Sequence, residues 1–275
     1  RFGVNAGNSI ASGGNYNVLV GDEAGTAITT GSSNTAVGAY ALPLNTTGAS
    51  NTSVGQGASR YNTTGSNNTA IGMDSLYYNT TGADNTAVGK DALKDATTAS
   101  YNTALGTLAA ENTTTGHSNV AIGRASLNEN STGDNNVAIG RNALLANTTA
   151  DNNTAVGYAS LTANTTGSSN TAVGYTAGAA VTTATYSTFI GSYAGDSTTT
   201  GTYNTVVGAA AFADNTTGAN NTVLGTSALG DNTTASNNTA VGFEALRLNT
   251  TGTQNTALGA LALDANTTAN DNVAI

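Results

Sequence analysis

A glycine returns every 17 residues from Gly21 to Gly259 without a slip, and the residue before it is aliphatic each time, from Val20, Val37, Val54, Ile71 and Val88 onward to Leu258. So regular an interval constrains the fold more than any other feature of the chain. Length alone would suggest one or two globular domains, but a short fixed period signals stacked units, each able to bury its apolar side only against its neighbours.

From Asn34 the unit reads Asn-Thr-Ala-Val-Gly-x-x-Ala-Leu-x-x-Asn-Thr-Thr-Gly-x-x. The small and β-branched residues before the glycine suit a short strand. Asn-Thr-Thr-Gly is turn chemistry, because Asn and Gly tolerate positive φ and Asn bonds its own backbone. Two glycines per unit and apolar positions off the 3.6-residue period argue against helix. The expected fold is all-β, a parallel β-solenoid (β-roll) with one 17-residue repeat per coil. Residues 1–275 read as a single solenoid segment without a domain boundary. About sixteen coils at ~4.8 Å each would give a rod of roughly 75–80 Å. The chain stops partway through a repeat, so a segment of a longer fibre protein is expected.

Alternation along the strand predicts that the residue before the glycine and the residue two earlier, usually Thr, face inward. The residue between them, usually Ala (36, 70, 87, 104, 121, 138, 155, 172), is then expected to face outward, as a small-residue stripe against which something packs. Leu four residues after the glycine (42, 76, 93, 127, 144, 161, 229, 246, 263) forms a second apolar ladder. Where that slot is Gly25 or Gly178, the usual Asn three residues on becomes Ile28 or Val181; Gly7 with Ile10 repeats the exchange, and Gly195 with Thr198 fits it less well. These mark a second coil type that moves its filler by three residues and keeps the interior full. Phe189, at an Ala slot, marks a local change. Gly3 lies one residue out of phase with Gly21, which predicts an insertion near Ser12-Gly13-Gly14.

Composition excludes several functions. The net charge is −9 with seven basic residues, which argues against nucleic-acid binding. No apolar run reaches the ~18 residues of a membrane span, and no signal peptide is visible, so no membrane insertion is expected. Zero cysteines fit a virion assembled in a reducing compartment or a secreted fibre held by stacking. Low charge could suggest disorder, but regularly placed aliphatics exclude that reading.

Asn-Val-Ala-Ile-Gly at 119–123 and 136–140, and Asn-Thr-Ala-Val-Gly elsewhere, resemble the head repeats of YadA-like trimeric autotransporter adhesins. The longer unit, with Ala-Leu and Asn-Thr-Thr-Gly, looks more like the version in phage tail-fibre and other surface-fibre proteins. The resemblance covers residues 15–275. It implies a left-handed roll, a homotrimer or end-to-end filament, and an extracellular location on a virion fibre or cell surface.

Candidate chemistry is sparse. His117, the single histidine, lies in a turn with no Cys or second His to complete a metal site or triad. Asp134 and Asp151 occupy equivalent slots and read as solvated turn residues, with a cation site as the alternative. Sequons such as Asn45-Thr46-Thr47 and Asn62-Thr63-Thr64 follow from the repeat, so structural Asn and Thr ladders are expected in place of glycosylation. Tyr61 with Tyr78, Tyr158 with Tyr175, and Tyr186 with Tyr203 share slots and are candidate surface contacts to glycans, or else simply stack or cover a seam. No acid–base constellation, cofactor motif or phosphate loop is present, so neither enzyme activity nor a cofactor or metal is expected. The expected role is a structural segment of an extracellular or virion fibre, a rigid spacer such as a tail-fibre repeat region presenting a host-attachment tip. The alternatives are an adhesin passenger binding host-surface glycans directly and an ice-binding solenoid, the latter disfavoured because the consensus Thr-Thr sits in a turn.

Overall fold

The computed structural model describes residues 2–275 and divides into two compact units, Arg1–Asn136 and Val137–Ile275. Both are parallel β-solenoid with a 17-residue coil, and no helix occurs among the described residues. In the first unit, β1 (Val18–Val20) through β7 (Val120–Ile122) pair in sequence order. In the second, β8 (Val137–Ile139) through β16 (Val273–Ala274) do the same. Register is an offset of one repeat throughout, as in Ala155 opposite Ala172 and Val156 opposite Val173. Strands are short, three residues in most coils, and turns carry the rest of each lap.

The ladder glycine is required twice over. Gly157 has φ 135°, and a Cβ there would run into the carbonyl of Gly174 in the next coil. Turns also hold non-glycine residues in the left-handed region, including Leu42 at φ 52° and Leu161 at φ 48°. Each such residue costs roughly 1–2 kcal/mol, offset here by the burial of its side chain and by coil-to-coil bonding.

The strand faces are the reverse of those expected. The middle residue points inward: Ala36, Ala70, Ala104, Ala155 and Ala172 are fully buried. The flanking Thr and aliphatic residues point outward and are half-buried or exposed. Alternation holds, but its phase is set by interior width. Ser53 and Ser59 hydrogen-bond across the interior at 2.9 Å between their Oγ atoms, so the middle strand slot directly faces the slot four residues past the glycine. That second slot is filled by Leu42, Leu76, Leu93, Leu127, Leu144, Leu161, Leu229 and Leu246, all buried. Opposite a Leu at such short range a small side chain fits best, and Ala stands there in most coils. The small-residue stripe therefore packs against the coil's own interior.

The largest exceptions obey the same volume rule, although Val206 and Val223 are buried at the Ala slot opposite Phe212 and Leu229. Phe189 and Leu19 are buried at the Ala slot, and the facing slots hold Gly195 and Gly178, or Gly25. Ile28, Val181 and Thr198, three residues beyond those glycines, are fully buried. Phe189 is thus an interior filler. Near the N-terminus, Phe2 bridges Val20 and the Ala11 amide donates to the Thr29 carbonyl, each pairing one residue beyond the usual register. The extra residue lies in the Ser12-Gly13-Gly14 stretch.

Two asparagine ladders complete the interior. In one, the backbone N–H of Asn51 donates to Asn34 Oδ1 at 3.0 Å and that of Asn68 to Asn51 Oδ1 at 3.0 Å, while Asn51 Nδ2 donates to the Gly65 carbonyl at 2.9 Å. In the other, Asn62 Nδ2 donates to Asn45 Oδ1 at 2.9 Å and to the Gly65 carbonyl at 3.0 Å. Buried amides survive in a narrow apolar roll because most of their donors and acceptors are used, Oδ1 of Asn79, Asn164 and Asn232 being exceptions. Turn threonines add a third series, such as Thr46 Oγ1 to the Thr63 carbonyl at 3.1 Å.

Candidate functional site

The outward strand face is the most extended surface feature. In the first unit it carries Val37, Val54, Ile71, Val88, Leu105 and Ile122 in one column beside Thr35, Thr52, Thr69, Thr86 and Thr103 in another. In the second, Val156, Val173, Ile190, Val207, Leu224, Val241 and Leu258 stand beside an unbroken Thr154–Thr256 column. Leu105 and Leu258 are each 47% exposed and Leu224 49%. An uninterrupted aliphatic row on one sheet face is larger than scattered surface apolars require.

Tyrosines form the second feature, and all three expected pairs are in contact. Tyr61 and Tyr78 stack with centroids 5.3 Å apart and planes at 13°, Tyr158 and Tyr175 at 5.2 Å and 12°, Tyr186 and Tyr203 at 5.4 Å and 4°. Repeat register causes this directly, since equivalent slots lie one strand spacing apart. Tyr186 and Tyr203 sit at φ 53° and 57°, where most other coils place Ser, Asn or Asp and two place Tyr16 and Tyr101, and Tyr186 is 60% exposed.

Further aromatic contacts surround these stacks. Tyr77 packs edge-on against both Tyr61 and Tyr78, at 5.2 and 4.7 Å. The Arg60 guanidinium lies 4.5 Å over the Tyr40 ring and 5.9 Å from that of Tyr77. Tyr193 packs edge-on against Tyr175 at 5.3 Å, and Arg141 lies 5.8 Å over Tyr158. Tyr61 with Tyr77, Tyr175 with Tyr193 and Tyr40 with Arg60 lie 16, 18 and 20 residues apart, near one repeat but not equal to it, whereas Arg60 with Tyr77 and Arg141 with Tyr158 share a slot at the 17-residue offset. Burial pushes the Tyr77 hydroxyl up, against the pull of Arg60, and Tyr61 adds to the rise. Tyr193, then burial, raises that of Tyr175.

The titratable residues singled out in the sequence are held in turns. His117 Nδ1 accepts the Ser100 amide at 3.0 Å, and the His117 amide donates to Asp134 Oδ1 at 2.6 Å, so both side chains are tied into turns. The Asp151 amide donates to Ser168 Oγ at 3.1 Å. No group of three or more His, Cys, Asp or Glu positioned for a metal occurs among the described residues, and no helix there is long and apolar enough to cross a membrane. Burial raises Asp196; the backbone amides of Asp196 and Ser197 partly oppose it and Asp214 reinforces it. Lys94 loses to burial but gains more from Asp91, Glu111 and Asp95, for a net rise.

The sequons fall into two sets. Asn45 and Asn62 are fully buried with their amides bonded, as the structural reading of the ladders requires. Asn67, Asn152, Asn220 and Asn237, which also begin Asn-x-Thr, are exposed turn residues with positive φ. A search against protein-family models and a search of curated proteins each find no match to the chain.

Proposed function

We propose that the chain is a structural segment of an extracellular or virion fibre, a stiff spacer that associates with further copies of itself through the Thr/aliphatic strand face. The observation that carries this is the outward column Val156-Val173-Ile190-Val207-Leu224-Val241-Leu258, apolar in every coil although the interior does not need it. A monomer gains nothing from leaving such a row in water, whereas a repeating face is self-complementary and suited to a symmetric assembly. Three copies is the expected number, from the resemblance to trimeric adhesin heads. Stiffness follows from main-chain pairing, side-chain ladders and interior packing repeated coil upon coil. Sedimentation equilibrium of the purified chain tests it: trimers support the reading, and monomers at all concentrations overturn it.

An adhesin that contacts glycans is the second reading, favoured by the exposed Tyr186–Tyr203 and Tyr158–Tyr175 stacks. The ice-binding alternative gains one observation as well. The Thr column lies on strands and faces outward, in addition to the Thr pairs in the turns. Thermal hysteresis by the purified chain would favour it over the spacer.

A further inference from the structure

One cleft in the first unit is not a product of the repeat. It encloses about 390 Å³ beside Tyr40, Pro43, Leu44 and Tyr61, with Glu23 and Arg60 also on its lining. Pro43 is the only proline in the chain. In the coil that follows Gly157, the slots of Tyr40, Pro43 and Leu44 hold Ala159, Thr162 and Ala163. A spacer needs none of the cleft's substitutions, and they cluster in three consecutive coils.

Its walls are held in place. Tyr61 is stacked on Tyr78 and braced edge-on by Tyr77. Glu23 accepts from Asn5 Nδ2 at 2.7 Å and from Thr26 Oγ1 at 3.1 Å. Arg60 lies over the Tyr40 ring, yet unlike Arg247, Lys90 and Lys94 it has no carboxylate within ion-pair range among the described residues. A guanidinium oriented by an aromatic ring and lacking a counter-ion, in a chain of net charge −9, is a prepared anion contact. Glu23 and Arg60 belong to coils two apart, roughly 10 Å along the stack at ~4.8 Å per coil. That is the span of one sugar ring and its substituents, with aromatic and aliphatic surface between.

We infer that this cleft binds one hexuronate unit of an acidic polysaccharide. The sugar carboxylate pairs with the Arg60 guanidinium, the C–H face of the pyranose lies against Tyr61 and Pro43, and a hydroxyl donates to Glu23. Neutral hexoses lose the charged contact, and simple anions lose the apolar one. This stands apart from the fibre reading, since it concerns the side of the coil away from the Thr/aliphatic face.

The test is titration of the intact chain, with tyrosine rings isotopically labelled, against tri-galacturonate, tri-glucuronate and tri-guluronate, and against their methyl esters. At least one acid is expected to bind and to shift the Tyr40 and Tyr61 ring signals while leaving Tyr186 and Tyr203 unmoved. Its ester and the Arg60→Gln variant are each expected to bind about tenfold more weakly or worse, the loss of one charge-assisted bond. Ring shifts in the unmutated chain keep the test valid should the variant fold poorly. Silence towards all three acids, equal binding of acid and ester, or shifts confined to other tyrosines would overturn the assignment. Fibre assembly is read separately by sedimentation.

Discussion

The ring of Phe189 occupies the space that a side chain on Gly195 would fill; even a Cβ on Gly195 would overlap ring atoms Cδ1 and Cε1. The two slots face each other across the interior, so their volumes must be chosen together. Gly195→Leu, which restores the consensus, is expected to destabilise by about 1–3 kcal/mol through overpacking. Phe189→Ala alone should cost about 3–5 kcal/mol. Combined, the two should recover much of that loss, and a double-mutant cycle in urea measures the coupling. Additive effects would mean that the slots do not share a space.

Asn51 both donates and accepts between coils, so Asn51→Ala strands buried groups on Asn68 and Gly65. The expected cost is about 2–4 kcal/mol. Asn51→Asp should be worse at neutral pH, where it buries a charge, and milder in acid, where a protonated carboxyl can donate again. Melting midpoints of the two variants across pH distinguish them.

Ala96 interrupts the second asparagine ladder between Asn79, whose Oδ1 is buried without a partner, and Thr113, whose Oγ1 is in the same condition. Ala96→Asn is expected to supply a donor to the first and an acceptor to the second. A gain of about 1–2 kcal/mol should follow, read as a higher urea midpoint.

Asp196 carries a raised folded pKa, so its ionised form opposes folding. Stability is therefore greatest below its unfolded value and falls as pH rises through the raised folded one. Asp196→Asn should raise the melting temperature at pH 7 by no more than about 2 °C, since the group is half exposed and screened. The advantage should vanish in acid, as thermal scans across pH would reveal.

A charge on the outward face should separate assembly from folding. Val173→Lys with Leu224→Lys is expected to reduce the sedimenting species to monomers while leaving the circular dichroism spectrum unchanged. Retained assembly would place the contact on another face.

Much of this was legible in advance because a fixed period does two things at once. It names the coil, and it brings residues in equivalent slots to one strand spacing, which is why the three tyrosine pairs could be read from numbering alone. Phase was not legible. Alternation leaves two choices for Thr-Ala-Val, and hydrophobicity favours burying Val156 over Ala155. The interior width that decides for Ala depends on Leu161, which faces it from elsewhere in the same lap. The cleft beside Tyr40 and Tyr61 was hidden for a related reason. It draws on three different slots in three coils, so no column of equivalent residues contains it.

Because strands within each unit meet their neighbours at an offset of one repeat, excising seventeen consecutive residues there returns each surviving strand to a matching partner. Losing a number that is not a multiple of seventeen scrambles both ladders at the joint. Such a chain can be lengthened or shortened by genetic duplication and deletion only in quanta of one lap, about 4.8 Å apiece, like a ruler that can be cut only at its graduations.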